Sequence, residues 1–395
     1  MKDPVLLNSF QEAFQGDIMD TIIMKTDEAS AIDQAASILQ KGGLVAFPTE
    51  TVYGLGGNAL DATASARIYA AKGRPSDNPL IVHIADKNDL YKLAENVPEK
   101  AVQLAEAFWP GPLTIILNKK DFVPDATTGG LSTVAIRMPS HPAAMEMIRR
   151  SGIYVAAPSA NLSGRPSPTT AEHVIEDMSG RIDMILDGGA VGIGIESTIV
   201  DLTGSVPMIL RPGFITREML TAVIGPVDLD PTLADAPSRP KAESDTSEAE
   251  GLTADPNGLL HPKAPGMRYT HYAPKGELTI VSDAERPERV TPSVKEKLQE
   301  LIRLSLEKDT ETAVLTTGGN ASDYENFQND PHFHLILLGD EDDGKTVAAH
   351  LYHALRECDA LGCRQIYSEN FRRDALGSAI MNRLVKAAGH RIIYC

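Results

Sequence analysis

Two polar motifs, each directly after a short apolar run, carry the residue types of an anion-binding site. The first, residues 48–55 (PTETVYGL), offers three hydroxyls, among them that of Thr51, beside a carboxylate. In the second, residues 72–80 (KGRPSDNPL), Lys72 and Arg74 flank a glycine ahead of two stiffening prolines, so we expect both cations to point out of the loop. An ammonium beside a planar guanidinium suits a triphosphate or a carboxylate. The pair predicts an active site for anionic ligands, and the simpler alternatives are a tight turn and a solvated cationic loop.

Two later segments add polar groups at the ends of predicted strands. In residues 133–139 (TVAIRMP), Thr133 and Arg137 alternate onto one face of a strand, which favours a carboxylate clamp. Residues 156–164 (AAPSANLSG) are small and rich in hydroxyls, as expected of a loop that lies flat against a nucleotide. The alternative interpretation of this second segment is an ordinary Pro and Gly loop.

Residues 339–346 (GDEDDGKT) fit the P-loop pattern and lie between a predicted strand and a predicted helix. The four middle residues of this P-loop-like segment are all acidic. Each carboxylate near a phosphate costs about 1 to 4 kcal/mol, so a phosphate cradle is disfavoured. Acidic side chains that cap the start of a helix explain the segment without a ligand.

Alternating strand and helix patterns must position these groups. In the first half of the chain they predict helices at 29–40 and 61–71 and strands at 44–47, 80–84, 113–117, 133–136, 154–157, 184–186, 198–202 and 208–210. In the second half they predict strands at 277–281, 312–316, 333–338, 365–368 and 390–394 and helices at 292–307, 345–360 and 375–388. This pattern is typical of α/β folds, and in the second half it favours a Rossmann-like three-layer α/β/α domain.

Length and composition indicate a two-domain globular protein. The chain has 395 residues, of which 42% are hydrophobic and 23% charged. A formal net charge of -17 argues against nucleic acid as the main partner. There is no apolar run of roughly 18 residues to span a membrane, and residues 1–20 do not read as a signal peptide, so we expect a cytoplasmic protein.

Changes in composition predict the domain boundaries. We expect an N-terminal extension at 1–20, a catalytic domain at 21–226, a linker at 227–275 and a second domain at 276–395. The linker begins with a stretch rich in acidic residues, Pro and Ser that extends to residue 258 and has no apolar period, and we predict that it is flexible. It ends in an aromatic and basic segment at 265–274 (PGMRYTHYAP).

The ordered motifs resemble those of the threonylcarbamoyl-AMP synthases of the YrdC type, in their long form with an added C-terminal domain. The matching motifs are PTETVYGL, KGRPSDNPLIVH, WPGPLT, STVAIRMP, APSANLSG, EST, RPG, PGMRYTHYAP and GSAIMNRLVKAA. These motifs lie between residues 48 and 388, and the resemblance is dense from residue 41 to residue 213. The resemblance implies a twisted, mixed YrdC-like sheet with helices in the first domain.

The resemblance also implies roles for individual residues. The residues expected to bind threonine are Thr51, His83, Arg137, Ala157 through its backbone, and Ser197. Those expected to bind ATP are Arg74, Asn78, Thr133, Ser159, Asn161, Ser167, Arg211 and Tyr272. Lys72 and Arg74 are the expected catalytic cations, and Tyr272 would close over the nucleotide as a lid. No protein-bound metal is expected, and Mg²⁺ would arrive with ATP.

Enzymes of this family join L-threonine, bicarbonate or CO2, and ATP into threonylcarbamoyl-adenylate with release of pyrophosphate. The product feeds a separate transferase complex that modifies tRNA, so direct stable tRNA binding is not expected. Both bond-forming steps bring anions together, which cations and hydroxyl dipoles offset without a protein nucleophile. Two rival hypotheses remain: a non-catalytic RNA-binding module, and a P-loop NTPase centred on Lys345.

Overall fold

The structure is a computed structural model that describes residues 19–233, 252–254, 260–265, 271–371 and 375–395. These residues form two α/β domains. The predicted N-terminal extension lies almost entirely outside the described residues, as does most of the acidic stretch of the predicted linker. In the described ranges, no helix is long and apolar enough to cross a membrane.

As predicted, the first domain is built on a mixed sheet flanked by helices; the sheet has eleven strands, three more than the eight predicted. The strands are β1 (Ile22–Lys25), β2 (Val45–Phe47), β3 (Gly54–Asn58), β4 (Ile81–His83), β5 (Leu113–Asn118), β6 (Thr133–Arg137), β7 (Val155–Ala157), β8 (Met184–Asp187), β9 (Thr198–Asp201), β10 (Met208–Arg211) and β11 (Asp228–Leu229). Their order in the sheet is β1-β8-β2-β3-β7-β4-β6-β5-β9-β10-β11.

The helices of this domain cover both long and very short segments. They are α1 (Ala31–Gln40), α2 (Ala62–Lys72), α3 (Asp89–Leu93), α4 (Glu99–Phe108), α5 (Asp125–Thr128), α6 (Pro142–Ser151), α7 (Ala171–Met178) and α8 (Arg217–Ile224). The Asp61 side chain caps α2 by accepting from Thr63 N at 2.8 Å, and Gly73 ends it in the left-handed conformation at φ 60°. The helix predicted at 61–71 is thus confirmed within one residue, and its end places Lys72 and Arg74 at the carboxyl end of α2.

The glycines at and after the end of the first motif, Gly54, Gly56 and Gly57, all lie in strand β3. Strand β3 lies between β2 and β7 in the sheet. A Cβ atom on Gly56 would lie 2.7 Å from Val155 Cγ1 and 2.8 Å from Phe47 Cε1. The glycines of β3 therefore let neighbouring side chains pack closely over the sheet, a requirement that local sequence patterns do not reveal.

One strand of the first sheet, β11, lies beyond residue 226, the predicted end of the first domain. Strand β11 pairs in parallel with β10, and Asp228 N donates to Pro207 O at 2.9 Å. Within the predicted linker, β12 (Leu252–Ala254) and β13 (Leu260–Pro262) form an antiparallel pair. Strands of two or three residues are too short to show a hydrophobic period. The sequence therefore predicted only a polar linker here.

The second domain is the predicted Rossmann-like three-layer fold. Its strands are β14 (Glu277–Ser282), β15 (Thr312–Thr316), β16 (Phe333–Leu337), β17 (Gln365–Glu369) and β18 (Ile392–Tyr394), and its helices are α9 (Pro292–Leu306), α10 (Gly344–Ala360) and α11 (Ala375–Ala387). The five strands pair in parallel in the order β16-β15-β17-β14-β18. Buried residues of α9 pack on one face of the sheet, and those of α10 and α11 pack on the other.

The P-loop-like segment opens α10 as the predicted capped helix start. The Asp343 carboxylate accepts from Lys345 N at 3.1 Å. Thr346 Oγ1 accepts from Asp340 N at 2.9 Å and donates to Asp343 O at 2.8 Å. The segment therefore satisfies its own backbone groups with its acidic and hydroxyl side chains, and the Lys345 side chain is exposed.

Candidate active site

A small cavity, called here the central cavity, lies where the loops of the first domain meet the segment leading into the second domain. Its volume is about 50 Å³. The predicted site residues that line it are Arg74, His83, Arg137, Ala157, Ser159, Arg211 and Tyr272. The predicted site residues outside its lining are Thr51, Lys72, Asn78, Thr133, Asn161, Ser167 and Ser197. Most residues of this second group are hydrogen-bonded to residues that line the cavity.

His83 and Arg137 end the neighbouring parallel strands β4 and β6 and are register partners. Parallel pairing brings both side chains to the same edge of the sheet, although they are far apart in sequence. Burial, and then the nearby Arg137 charge, lower the pKa of His83 to about 3. His83 Nδ1 lies 3.1 Å from Ile81 O. The imidazole is therefore neutral at physiological pH, and it lines the cavity as a polar but uncharged group.

Arg137 is paired with a carboxylate of the first motif. Its Nη2 donates to Glu50 Oε1 at 2.6 Å and to Thr51 Oγ1 at 3.0 Å. Glu50 Oε2 also accepts from Ser140 N at 3.0 Å. Burial alone would raise the pKa of Glu50, but the charge and hydrogen bond of Arg137 lower it. The ion pair keeps Glu50 ionised and fixes the guanidinium at the cavity wall.

Lys72 is turned inward, which corrects the expectation that both cations of its motif point out of the loop. Its side chain is 2% exposed, and Nζ donates to the backbone carbonyls of Ser159 and Asn161 and to Asn161 Oδ1. A buried ammonium needs acceptors, and the loop after β7 supplies them. Burial, and then the charge of Arg74, hold the pKa of Lys72 well below its usual range. Lys72 thus anchors this loop, and its catalytic role stays a prediction.

Arg74 does reach the central cavity. Its Nη2 donates to Asn78 O at 3.3 Å and to Pro79 O at 3.1 Å, which folds the KGRPSDNPL loop back on itself. Burial lowers the pKa of Arg74 to about 10, so the guanidinium remains charged at neutral pH. Asn78 is buried behind it, and Tyr69 Oη donates to the Asn78 carbonyl at 3.1 Å.

The loop after β7 is organised by its own polar side chains. Asn161 Nδ2 donates to Leu162 O at 2.8 Å and to Arg165 O at 2.9 Å, and Asn161 Oδ1 accepts from Ser159 Oγ at 2.5 Å. Asn161 is therefore a structural residue of the loop in this conformation. Ala157 and Ser159 precede it and face the cavity.

Arg211 lines the cavity and is hydrogen-bonded to Ser197. Arg211 donates from Nε to Ser197 O at 3.0 Å and from Nη2 to Ser197 Oγ at 3.1 Å. The Ser197 hydroxyl also lies 2.8 Å from Thr114 Oγ1. Ser167 Oγ donates to Glu196 Oε1 at 2.7 Å. Ser167 and Ser197 thus support the wall formed by Glu196 and Arg211.

Thr133 is the predicted residue that the structure separates from the others. It begins β6, whereas Arg137 ends that strand. Four residues of extended strand span about 13 Å. A role for Thr133 in ATP binding stays a prediction, and it would require a ligand that extends along the strand from the cavity.

Tyr272 covers the cavity from the second half of the chain. It is 5% exposed and has a positive φ of 68°, a backbone conformation that non-glycine residues seldom adopt. Its ring lies 5.5 Å from that of His271 and 5.1 Å from that of Tyr352, between centroids. Residues 266–270 of the aromatic and basic segment at 265–274 lie outside the described residues.

Several side chains that line the cavity or lie directly behind its lining keep polar atoms without a protein partner. Within the part of the chain that the structure describes, these buried atoms include Arg74 Nε, Asn78 Oδ1, Arg137 Nε and His271 Nε2. Such atoms are rare in folded proteins and are common where a ligand completes the hydrogen bonding. Two belong to guanidiniums, which carry positive charge and donate only. The cavity is therefore suited to an anion.

Sequence patterns missed the two carboxylates that hold the site together. Glu50 and Glu196 belong to matching motifs, but the resemblance assigned a role to neither. Each forms an ion pair with a buried arginine, Glu50 with Arg137 and Glu196 with Arg383 of α11. The only signal in the sequence was the presence of each carboxylate inside a polar motif next to a predicted substrate residue.

The fold and the site define a two-domain α/β enzyme whose mixed-sheet domain holds a guanidinium-lined cavity closed by the segment between the domains. A family model described as "Telomere recombination", of the Sua5/YciO/YrdC group, matches residues 37–213. A second, described as "Threonylcarbamoyl-AMP synthase, C-terminal domain", matches residues 215–389.

Full-length relatives agree with both matches. The threonylcarbamoyl-AMP synthase of Bacillus subtilis is 47% identical over 93% of this chain and 97% of its own length, and that of Pyrococcus abyssi is 44% identical over 91% and 94%. The crystal structure of P. abyssi Sua5 complexed with L-threonine superposes with a TM-score of 0.80 at 42% identity, covering 95% of this chain and 99% of that one. The chain therefore belongs to the threonylcarbamoyl-AMP synthase family and is an enzyme of that kind.

Proposed function

We propose that this enzyme joins L-threonine, bicarbonate or CO2, and ATP into threonylcarbamoyl-adenylate and releases pyrophosphate. One observation carries the proposal: Arg74, Arg137 and Arg211 converge on a single cavity. The substrates bring a carboxylate, a carbamate and a triphosphate together, and three guanidiniums offset this repulsion. The L-threonine complex of P. abyssi Sua5 supports threonine as the amino acid.

We assign the threonine carboxylate to Arg137. Its Nε is buried without a protein partner, while Nη2 is held by Glu50 and Thr51, so the guanidinium is already oriented. His83 and Ala157 would lie beside the amino acid, since both line the same cavity as Arg137. One methyl group discriminates only about 10- to 200-fold, so selection of threonine over serine and valine requires contacts to both its methyl and its hydroxyl.

ATP would lie between Arg74 and Arg211, with Ser159 beneath it and Tyr272 over it. The cavity of about 50 Å³ is far smaller than the roughly 300 to 1,000 Å³ of typical small-molecule sites. Binding therefore requires Tyr272 to move away and return. Mg²⁺ would arrive on the triphosphate and offset part of its negative charge.

The proposed chemistry has two steps. The threonine amine bonds to the carbon of CO2 and loses a proton, which produces a carbamate. A carbamate oxygen then bonds to the α-phosphorus of ATP, and the bond from that phosphorus to the pyrophosphate oxygen breaks. Both steps depend on orientation and on stabilisation of negative charge, which the fixed guanidiniums supply. The product would pass to a tRNA threonylcarbamoyl-transferase complex, and no stable contact of this chain with tRNA is required.

The test is pyrophosphate release from the purified protein with ATP, L-threonine and bicarbonate. We expect release that falls to background when either threonine or bicarbonate is omitted, and a product with the mass of threonylcarbamoyl-adenylate. Equal release without threonine would overturn the proposal. A parallel titration with RNA tests the binding-module hypothesis, since phosphate-dominated binding must weaken steeply with salt.

A further inference from the structure

The second domain contributes two buried side chains to the back of the site. Tyr352 of α10 donates its hydroxyl to Glu196, with distances of 3.0 Å to Oε1 and 2.9 Å to Oε2. Arg383 of α11 donates from Nε to Glu196 Oε2 at 3.1 Å. Both side chains are fully buried. Glu196 belongs to the first domain, so these bonds cross between the two domains.

Arg383 also joins the two chain segments that carry predicted substrate residues. Its Nη2 donates to Glu196 O at 3.4 Å, and its Nη1 donates to Pro212 O. Glu196 immediately precedes Ser197, and Pro212 immediately follows Arg211. A single guanidinium therefore fixes both sides of the wall that contains Arg211.

Glu196 lies between two guanidiniums but forms an ion pair with only one of them. In the described ranges, Arg383 is its ion-pair partner within 4.0 Å, while Arg211 bonds to Ser197 instead. Burial alone would raise the pKa of Glu196, but the charges of Arg383 and then Arg211 lower it to about 2. The carboxylate is thus ionised, and without Arg383 it would be a buried charge next to Arg211.

The two domains pack closely against each other next to Glu196, which holds Glu196 near Arg383 and Tyr352. Gly194, at φ 84°, lies against α10, where an added Cβ would approach Ala348 O and Ala349 Cα to 2.4 Å. Val52, Ile195 and Tyr272 pack into the apolar cluster of the second domain. The loop before Glu196 is therefore held directly on α10.

We infer that Arg383 and Tyr352 are positioning residues for the reaction: they hold Glu196 away from Arg211, so that the Arg211 guanidinium remains available to an anionic substrate. The inference rests on the proposed function, because it takes ATP as the ligand of Arg211. It assigns to the second domain an electrostatic role in the site, in addition to covering it.

A double-mutant cycle on ATP binding tests this role. The four proteins are the wild type, Arg383→Met, Glu196→Gln and the double variant, with ATP affinity measured by calorimetry and turnover by pyrophosphate release. We expect Arg383→Met to weaken ATP binding about tenfold or more when Glu196 is present, because the freed carboxylate pairs with Arg211. With Gln at 196, the same substitution should change affinity by less than about threefold.

Two outcomes overturn the inference: wild-type affinity in Arg383→Met, or an equal loss from Arg383→Met in both backgrounds, which would mean that Arg383 only packs the domains together. If Arg383→Met does not fold, Tyr352→Phe removes only the hydroxyl. We expect it to weaken ATP binding about threefold or more, whereas Tyr367→Phe, a matched buried substitution in the second domain, should not. Equal affinity in the two Tyr→Phe variants would overturn the inference. Loss of threonine dependence in the wild type would instead overturn the proposed function.

Discussion

The central cavity and the P-loop-like segment show two opposite ways of treating charge. At the cavity, Arg74, Arg137 and Arg211 are oriented by protein acceptors, and two of these guanidiniums keep donors unpaired. In the segment at 339–346, acidic and hydroxyl side chains satisfy the backbone amides that a P-loop offers to phosphate. A P-loop sequence pattern alone is therefore insufficient to identify a phosphate site. The charge of the loop and the number of its free hydrogen-bond donors determine whether it can bind phosphate.

Removal of Arg137 should have the largest effect on activity, because Arg137 is the proposed anion-binding group for threonine in the central cavity. Arg137→Ala removes the proposed partner of the threonine carboxylate, and we expect kcat/KM for threonine to fall about 100-fold or more, with a smaller change in the KM for ATP. Pyrophosphate release at varied concentrations of each substrate measures both. The exposed Arg149→Ala is the matched control.

Arg137→Ala also leaves Glu50 as an unpaired buried charge, which costs about 3 to 5 kcal/mol of stability. The double variant Arg137→Ala/Glu50→Gln should recover much of this stability in urea unfolding, but it should not recover threonine use. Equal losses for threonine and ATP in the single variant would contradict the role given to Arg137.

The two regions can be compared directly by removing one cation from each. Arg74→Ala should raise the KM for ATP about 10- to 100-fold, because a charge-assisted contact to the triphosphate is lost. Lys345→Ala should leave it within about twofold, since this exposed side chain belongs to a segment that repels phosphate. Both variants are measured in the same pyrophosphate assay. The reverse result would place ATP in the second domain.

Acid unfolding examines the buried charge that supports the cavity wall. The folded pKa of Glu196 is about 2, below the usual 4.5, so its stabilisation is fully present above pH 4.5 and is lost as the pH falls toward 2. By pH 3 the loss is about 2 kcal/mol. Urea unfolding at pH 7 and pH 3 should show this loss in the wild type and in the exposed control Glu300→Gln, but less of it in Glu196→Gln. Equal losses in all three proteins would contradict the ion pair.

Local sequence patterns predicted the groups that lie where a strand or helix ends. His83 and Arg137 each follow an apolar run, and parallel register then brings them together. Asp61 and Gly73 delimit α2 by side-chain capping and a positive φ, which are local effects. The main elements of both domains follow from the same kind of information.

Contacts between distant segments could not be predicted in this way. The inward turn of Lys72 depends on carbonyls more than 80 residues away, and Arg383 and Glu196 are 187 residues apart. The strand β3 depends on the close approach of Val155 and Phe47 to its glycines. Each case requires tertiary packing to bring a partner into place, and single-sequence periodicity carries no information on that partner.

The smallest expected effect concerns the acidic residues of the P-loop-like segment. Asp343→Ala removes the side-chain acceptor for Lys345 N and should lower the free energy of unfolding by about 1 kcal/mol, with ATP kinetics unchanged within about twofold. Asp343→Asn keeps the cap without the charge and should cost only a few tenths of a kcal/mol. If the segment did bind phosphate, removal of a carboxylate would reduce repulsion and strengthen ATP binding in both variants. Urea unfolding and the KM for ATP separate these cases, because a helix cap changes only the first quantity and a phosphate site changes the second.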